Sequence, residues 1–236
     1  MTKIAVNGAS GRMGGRILSL ADASKEFEVA GKFDASGPEK ISADALRKKG
    51  KGALIDFSSP SGTREALASA REAGWALVVG TTGLDKALLD ELERASKDIP
   101  VIVSSNMSIG VNVMLALLEL ASKKLPKNFS VGMTEAHHTH KKDAPSGTAL
   151  TLAKQIAASR PMDFEALSKS IKVIREGEII GDHSVEFSGP EETLEIRHHA
   201  KSRDIFAEGA LLAARFAASA KPGYYSMSEV LNSKCQ

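Results

Sequence analysis

Up to residue 104 the chain alternates short apolar runs with helical patterns. Strands are predicted at Lys3–Asn7, Phe27–Asp34, Ala53–Phe57, Ala76–Gly80 and Pro100–Ser104, with helices at Arg12–Ala23, Ser61–Ala73 and Leu84–Ser96. Apolar strands this short, separated by helices, bury both faces of a parallel sheet. The crossovers are then right-handed. The expected fold is α/β: a Rossmann-type, doubly wound parallel sheet.

After Asn106 the pattern changes. A long apolar helix is predicted over Gly110–Leu125, then strands at Phe129–Glu135, Ile171–Arg175, Ser184–Phe187 and Thr193–His198. Their polar–apolar alternation predicts an antiparallel sheet with one covered face. Helices are expected over 147–159 and Ile205–Ala218. A second, smaller α+β domain therefore starts near residue 108. At 236 residues the chain has room for one large domain or two small ones.

Charge narrows the function classes. Lys+Arg 31 against Asp+Glu 29 gives a net charge of +2, too balanced for a nucleic-acid partner. No apolar run reaches the roughly 18 residues of a membrane span. Met1 leads directly into a strand-like run with no signal-peptide pattern, so a cytoplasmic location is expected. The single cysteine, Cys235, excludes a disulfide framework and a cysteine-based zinc site. It also argues against a thiol-dependent semialdehyde dehydrogenase, since a terminal position suits a nucleophile poorly.

Asn7-Gly8-Ala9-Ser10-Gly11-Arg12-Met13-Gly14 follows the first strand and opens the first helix. A dinucleotide pyrophosphate binds backbone N–H groups at such a helix start, where a β-carbon would block its approach. The spacing is Gly-x-x-Gly-x-x-Gly, a variant of the usual pattern. Asp34 ends the second strand 20 residues past Gly14, where an acid binds the adenosine ribose. Asp34 would repel a 2′-phosphate and so favours NADH over NADPH, although Arg12 and Lys32 could offset it. Gly80-Thr81-Thr82-Gly83 and Ser104-Ser105-Asn106-Met107 follow later strands, at the edge where open α/β sheets bind ligands.

All six histidines fall between His137 and His199. Three sit in Glu135-Ala136-His137-His138-Thr139-His140-Lys141-Lys142-Asp143-Ala144-Pro145-Ser146-Gly147-Thr148-Ala149, between a strand and a helix. Ser146 is a plausible N-cap, leaving N–H groups around Gly147 and Thr148 for an anion. Histidine changes charge near neutral pH, and a lysine among cations can release a proton. The segment reads as a metal site, a solvated basic loop, or an acid–base site that binds a carboxylate. Against the metal, the spacing is not His-Glu-x-x-His, and Lys141 and Lys142 oppose a cation. His198-His199 could be a polar strand edge.

The segment from Glu135 to Ala149 resembles the signature of the dihydrodipicolinate (4-hydroxy-tetrahydrodipicolinate) reductase family at every fixed position. The Gly8–Gly14 turn is similar to the family's first turn. Ile55-Asp56-Phe57-Ser58, Val79–Gly83, Asn106–Val113, Gly181-Asp182-His183, Leu194–His198 and Ser202–Ala210 also resemble it. The resemblance implies NAD(P)H-dependent reduction of a cyclic imine dicarboxylate in lysine and diaminopimelate biosynthesis. It implies His137 as acid–base residue, Lys141 as proton donor, His138 as substrate ligand, and Gly147 and Thr148 as carboxylate ligands. Cofactor would lie against Gly8, Ala9, Ser10, Gly11, Arg12, Met13, Asp34, Gly80, Thr81, Thr82, Ser104, Ser105, Asn106 and Met107. No metal is implied. The family is generally tetrameric through its second-domain sheets. Its C-terminal segment rejoins the first domain, which implies domains of 1–107 with 203–236, and of 108–202. Many relatives carry Arg after the acid of the second strand, where this chain has Ala35, a departure that supports NADH. The stretches 35–51 and 160–180 look clipped. Intact His137, His138 and Lys141 argue against an NAD(H) sensor without turnover.

Overall fold

The structure, a computed structural model, describes residues 1–233. Cys235 lies outside the described residues. The chain opens with β1 (Thr2–Asn7), α1 (Arg12–Ala23), β2 (Phe27–Phe33), α2 (Ala43–Arg47), β3 (Ala53–Asp56), α3 (Pro60–Ala73), β4 (Ala76–Val79), α4 (Lys86–Ala95) and β5 (Pro100–Val103). It continues with α5 (Ile109–Lys124), β6 (Ser130–His137), α6 (Gly147–Ser159), α7 (Phe164–Ser170), β7 (Lys172–Arg175), β8 (Asp182–Ser188) and β9 (Thr193–His199). It closes with α8 (Asp204–Ala217), β10 (Gly223–Tyr225) and α9 (Met227–Asn232). Two units emerge: Met1–Ile109 together with the chain from Asp204, and Gly110–Arg203.

Unit 1 is built on a six-stranded sheet in the order β10-β5-β4-β3-β1-β2, every pairing parallel. Strand alternation fills both faces. Ile4, Val6, Ile55, Val78 and Ile102 pack with α1 and α8 on one side. Ala5, Leu54, Leu77, Val79 and Val101 pack with α2, α3 and α4 on the other. Because both faces are buried, the central strands β4 and β5 read as continuous apolar runs, whereas β1 and β2 carry charged residues such as Lys3, Glu28 and Lys32. Helix α8 buries Ala207, Gly209, Ala210, Ala213, Ala214 and Ala217, a face of small side chains that lets it lie close to the sheet. A β-carbon at Gly209 would come 1.7 Å from the Met107 carbonyl oxygen. Strand β10, three residues long, then pairs with β5. Since β1 lies between β2 and β3, the crossovers leave it in opposite directions. The crevice of a doubly wound sheet opens at such a switch point.

Unit 2 holds a four-stranded sheet in the order β7-β6-β8-β9. Sequence reading predicts an antiparallel sheet, but β7 runs parallel to β6, so the sheet is mixed. The cause is α6 and α7, which form a crossover between the two strands and return the chain to the end where β6 began. Met114, Leu118, Leu152, Ile156 and Leu167 of the helices cover one face through Met133, Val185 and Phe187. The opposite face carries Thr134, Ser184, Glu186, Glu195 and Arg197. Among the described residues, no helix is long and apolar enough to cross a membrane.

Candidate active site

In unit 1 the strand ends converge at the β1–β3 crevice. A cavity of about 390 Å³ opens there, lined among others by Gly8, Ser10, Gly11, Asp34, Lys40 and Ser58. Gly8 has φ +80°, and a β-carbon on it would meet the Phe57 carbonyl oxygen at 2.3 Å. Glycine is therefore required both for the turn and for the passage of β3 beside it. Gly14 is equally constrained, with the Gly8 oxygen 2.1 Å from its would-be β-carbon. Gly11 is the N-cap of α1 and supplies no capping side chain. The leading N–H groups of the helix thus have no side-chain acceptor, and the positive end of the helix dipole faces the turn.

Asp34 reaches back from the end of β2 to this turn. Its Oδ2 accepts from Ser10 N at 2.9 Å and from Ser10 Oγ at 2.5 Å. These bonds from Ser10 hold its carboxyl below the ordinary carboxylate range. The remaining sequence candidates have mixed placements. Thr81 Oγ1 donates to Asp56 Oδ2 at 2.7 Å and accepts from Ser58 N at 2.9 Å. Gly80 packs on the Phe57 ring. Ser104 Oγ donates to the Asn106 carbonyl, and Met107 is buried in the core. These residues brace the loops of the sheet edge. Lys32 pairs with Asp22 at 4.0 Å, whereas Lys40, which sequence reading passed over, lines the cavity with Asp34.

In unit 2 the alternation of β6 decides which residues meet. Sequence reading ends this strand at Glu135, but it runs on to His137. Met133, Glu135 and His137 therefore share one face, and at its end the apolar core gives way to buried polar groups. The register sets His183 opposite Glu135 and Arg175 beside His137. Glu135 is 1% exposed. Its Oε2 lies 2.5 Å from His137 Nδ1, and the Arg175 guanidinium forks onto its two oxygens at 2.9 and 2.7 Å. Ser146 N donates to Glu135 Oε1 at 3.1 Å.

Ser146 caps α6 through its Oγ, which accepts from Ala149 N. That oxygen also lies 3.2 Å from His183 Nε2. A β-carbon at Gly147 would have nothing within 4 Å, so the head of α6 is open at this point. Lys141 Nζ pairs with Asp143 at 2.8 Å. The His138 and His140 rings stand 6.2 Å apart. Among the described residues no group of three or more His, Cys, Asp or Glu is placed to hold a metal.

Burial sets the electrostatics. His137 is held below the ordinary imidazole range, chiefly by desolvation, against which the Glu135 carboxylate pulls upward. Burial pushes Glu135 up, but the bonds from Arg175 and His137 outweigh it and the net direction is down. His183 falls to about 4, through burial first and its histidine neighbours second. Glu135, Arg175 and His183 were not singled out from sequence. The two-residue spacing of Glu135 and His137 on a strand places them on one face and was readable. Arg175 and His183 reach the site only through strand register.

A model of the dihydrodipicolinate reductase N-terminus matches residues 2–107, and one of its C-terminus matches residues 110–231. The chain belongs to the dihydrodipicolinate reductase family. It is 37% identical to the 4-hydroxy-tetrahydrodipicolinate reductase of Nitrosomonas europaea, covering 97% of both chains. Against that of Cupriavidus metallidurans it is also 37% identical, over 98% of this chain and 100% of the relative. In fold it is similar to a dipicolinate-bound dihydrodipicolinate reductase from Paenisporosarcina sp. TG-14, with TM-score 0.84, 21% identity, and 96% and 97% of the two chains covered. Family membership brings NAD(P)H. The uncapped head of α1, the glycine cradle and the Asp34 carboxylate fit such a dinucleotide.

Proposed function

We propose that this member of the dihydrodipicolinate reductase family reduces 4-hydroxy-tetrahydrodipicolinate to tetrahydrodipicolinate with NADH or NADPH, in lysine and diaminopimelate biosynthesis. Unit 1 holds the cofactor and unit 2 the cyclic dicarboxylate, a division that corresponds to 1–107 with 203–236, and to 108–202. The observation that carries the reading is the buried Glu135–His137 pair beside the open head of α6, with Lys141 on the intervening loop.

Bound nicotinamide supplies the hydride. The N–H groups of Gly147 and Thr148 and the dipole of α6 receive a substrate carboxylate, and His138 adds a ligand. Lys141 Nζ carries the proton that completes the reduction, with Asp143 holding the ammonium between turnovers. His137 moves a proton at Nε2, because Nδ1 is committed to Glu135. Loss of the 4-hydroxyl as water is assigned to the same acid–base group.

NADH is the preferred cofactor in this reading: Asp34 faces the cavity and Ala35 offers no charge to a 2′-phosphate. Gly8, Ala9, Ser10, Gly11, Arg12 and Met13 would hold the pyrophosphate; Thr82, Ser105 and Asn106 lie on the loops nearby. The protein is proposed to act in the cytoplasm as a homotetramer joined through unit 2 sheets, which sedimentation of the full chain tests directly.

The deciding experiment supplies the condensation product of pyruvate and aspartate semialdehyde and follows NADH and NADPH oxidation separately. Oxidation of either supports the activity; oxidation of neither defeats it. His137→Ala and Lys141→Ala are each expected to cut kcat by about 10²-fold or more while leaving NADH binding intact. Wild-type rates in both would remove the assigned roles.

A further inference from the structure

Arg175 bridges two parts of unit 2, strand β6 and the loop before α6. Its guanidinium forks onto both oxygens of Glu135 and donates to the Asp143 carbonyl at 2.7 Å, the residue that pairs with Lys141. Glu135, fully enclosed, passes this hold onward: Oε2 to His137 Nδ1 and Oε1 to the Ser146 amide at the head of α6. One carboxylate thus touches both the acid–base histidine and the helix start that receives an anion. Neither Glu135 nor Arg175 belongs to the apolar core of unit 2, to which the strands β6 and β8 contribute Met133, Val185 and Phe187. A buried carboxylate costs several kcal/mol unless it is fully paired. Its placement among buried polar groups, His137, Ser146 and His183, at the end of the apolar face calls for a use beyond packing.

We propose that Glu135 and Arg175 are a positioning pair: Arg175 seats Glu135 and the Lys141 loop, and Glu135 keeps the His137 proton on Nδ1 so that Nε2 is the working atom. The inference rests on the acid–base role of His137 given above. Nε2 lies 3.1 Å from where a β-carbon on residue 181 would stand, so glycine at that position keeps this side of the ring clear. The groups facing His137 are few. They are Glu135 from its own strand, Arg175 from β7, Lys141 with its partner Asp143 from the loop, and His183 from β8, its ring 5.3 Å away. His198 of β9 stands behind His183 at 6.3 Å. Of these, only Glu135 favours the imidazolium through a direct bond.

Glu135→Gln keeps the shape and removes the charge. Because general acid–base catalysis contributes about 10²–10⁴-fold, partial loss of His137 function is expected to cut kcat by about 10- to 100-fold with NADH affinity unchanged. The high-pH limb of kcat assigned to His137 moves to lower pH, since the carboxylate no longer favours the protonated ring. Arg175→Lys keeps a positive charge but loses the fork and is expected to show a smaller loss in the same direction. It also carries the test should Glu135→Gln fail to fold. Nitrogen-15 NMR of the wild-type protein reads the tautomer without any variant and is expected to show His137 protonated at Nδ1. An Nε2–H tautomer in the wild type would overturn the pair. So would a kcat loss in Glu135→Gln that is equal at every pH, the mark of a merely structural role. Wild-type turnover in His137→Ala would instead remove the acid–base reading beneath it.

Discussion

At the scale of the residue, one carboxylate marks each candidate site, and each is held by a neighbour: Asp34 in unit 1 by Ser10, Glu135 in unit 2 by Arg175. Asp34 is poised at the cavity by Ser10. A ribose hydroxyl bonded to a charged acceptor is worth about 1.5–3 kcal/mol. Asp34→Ala is therefore expected to raise the KM for NADH by roughly 10-fold or more and to affect NADPH less; an unchanged cofactor ratio would show that Asp34 does not read the ribose. Lys40→Ala is expected to act in the opposite sense, weakening NADPH more, because Lys40 is a cation lining the Asp34 cavity. Steady-state kinetics with both cofactors check the pair. Asp34 was legible from its place at the end of β2. Lys40 was not, because nothing in the pattern of residues 35–51 says which side chain the loop turns inward.

Elements were more legible than their ends. Helix α1 is predicted and found at Arg12–Ala23, because a glycine turn starts it and its apolar residues repeat at helical spacing. Helices α2, α7 and α9 went unread; at five, seven and six residues they show too little periodicity. Each is instead marked by a capping side chain: Ser42, Asp163 and Ser226. The same device starts α4, where Asp85 Oδ1 accepts from Leu88 N at 2.7 Å. Asp85→Ala should cost about 1 kcal/mol, or about 2–4 °C in thermal midpoint for a chain of this size. A midpoint unchanged by calorimetry would mean that solvent already satisfies the N–H groups at that helix end. The cap of α6 has a second duty, since Ser146 also bonds His183. Its role in the site was hidden because the cap motif explained the serine completely.

At the scale of the whole molecule, unit 1 is completed by the segment that follows Arg203, from α8 to α9. Helix α8 returns to the sheet of unit 1 and buries a row of alanines against β1, β3 and β4. A chain ending at residue 203 would leave that apolar face in water, so it is expected to aggregate, as light scattering would show. Gly209→Ala is a milder form of the same test: its methyl would meet the Met107 backbone, at a cost of about 3 kcal/mol or more. Acid weakens the fold through His183. Its folded pKa of about 4 lies below the unfolded value near 6.5. The unfolded chain therefore takes up its proton first as pH falls. Stability is fully present above about pH 6.5 and declines toward pH 4, by at most about 3 kcal/mol from this group. Glu135 and Asp34, also depressed, lose their contributions in the same direction at lower pH. Thermal midpoints from pH 7.5 to 4.5 should fall less steeply in His183→Gln than in the wild type; parallel curves would remove His183 as a cause.

Local pattern determined the parallel sheet of unit 1, the glycine turn, the family and the segment that carries His137 and Lys141. These are readable because each depends on residues close in sequence: strand alternation, helix spacing, or a turn that tolerates no β-carbon. Tertiary structure alone decided that β7 runs parallel to β6, that β10 pairs with β5 as the sixth strand of the first sheet, and that Arg175 and His183 close around Glu135. Those partners lie 40 and 48 positions from Glu135 along the chain. Only the register of β6 with its two neighbours brings them within bonding or ring contact, and register follows from how an entire face is buried rather than from any short run of residues.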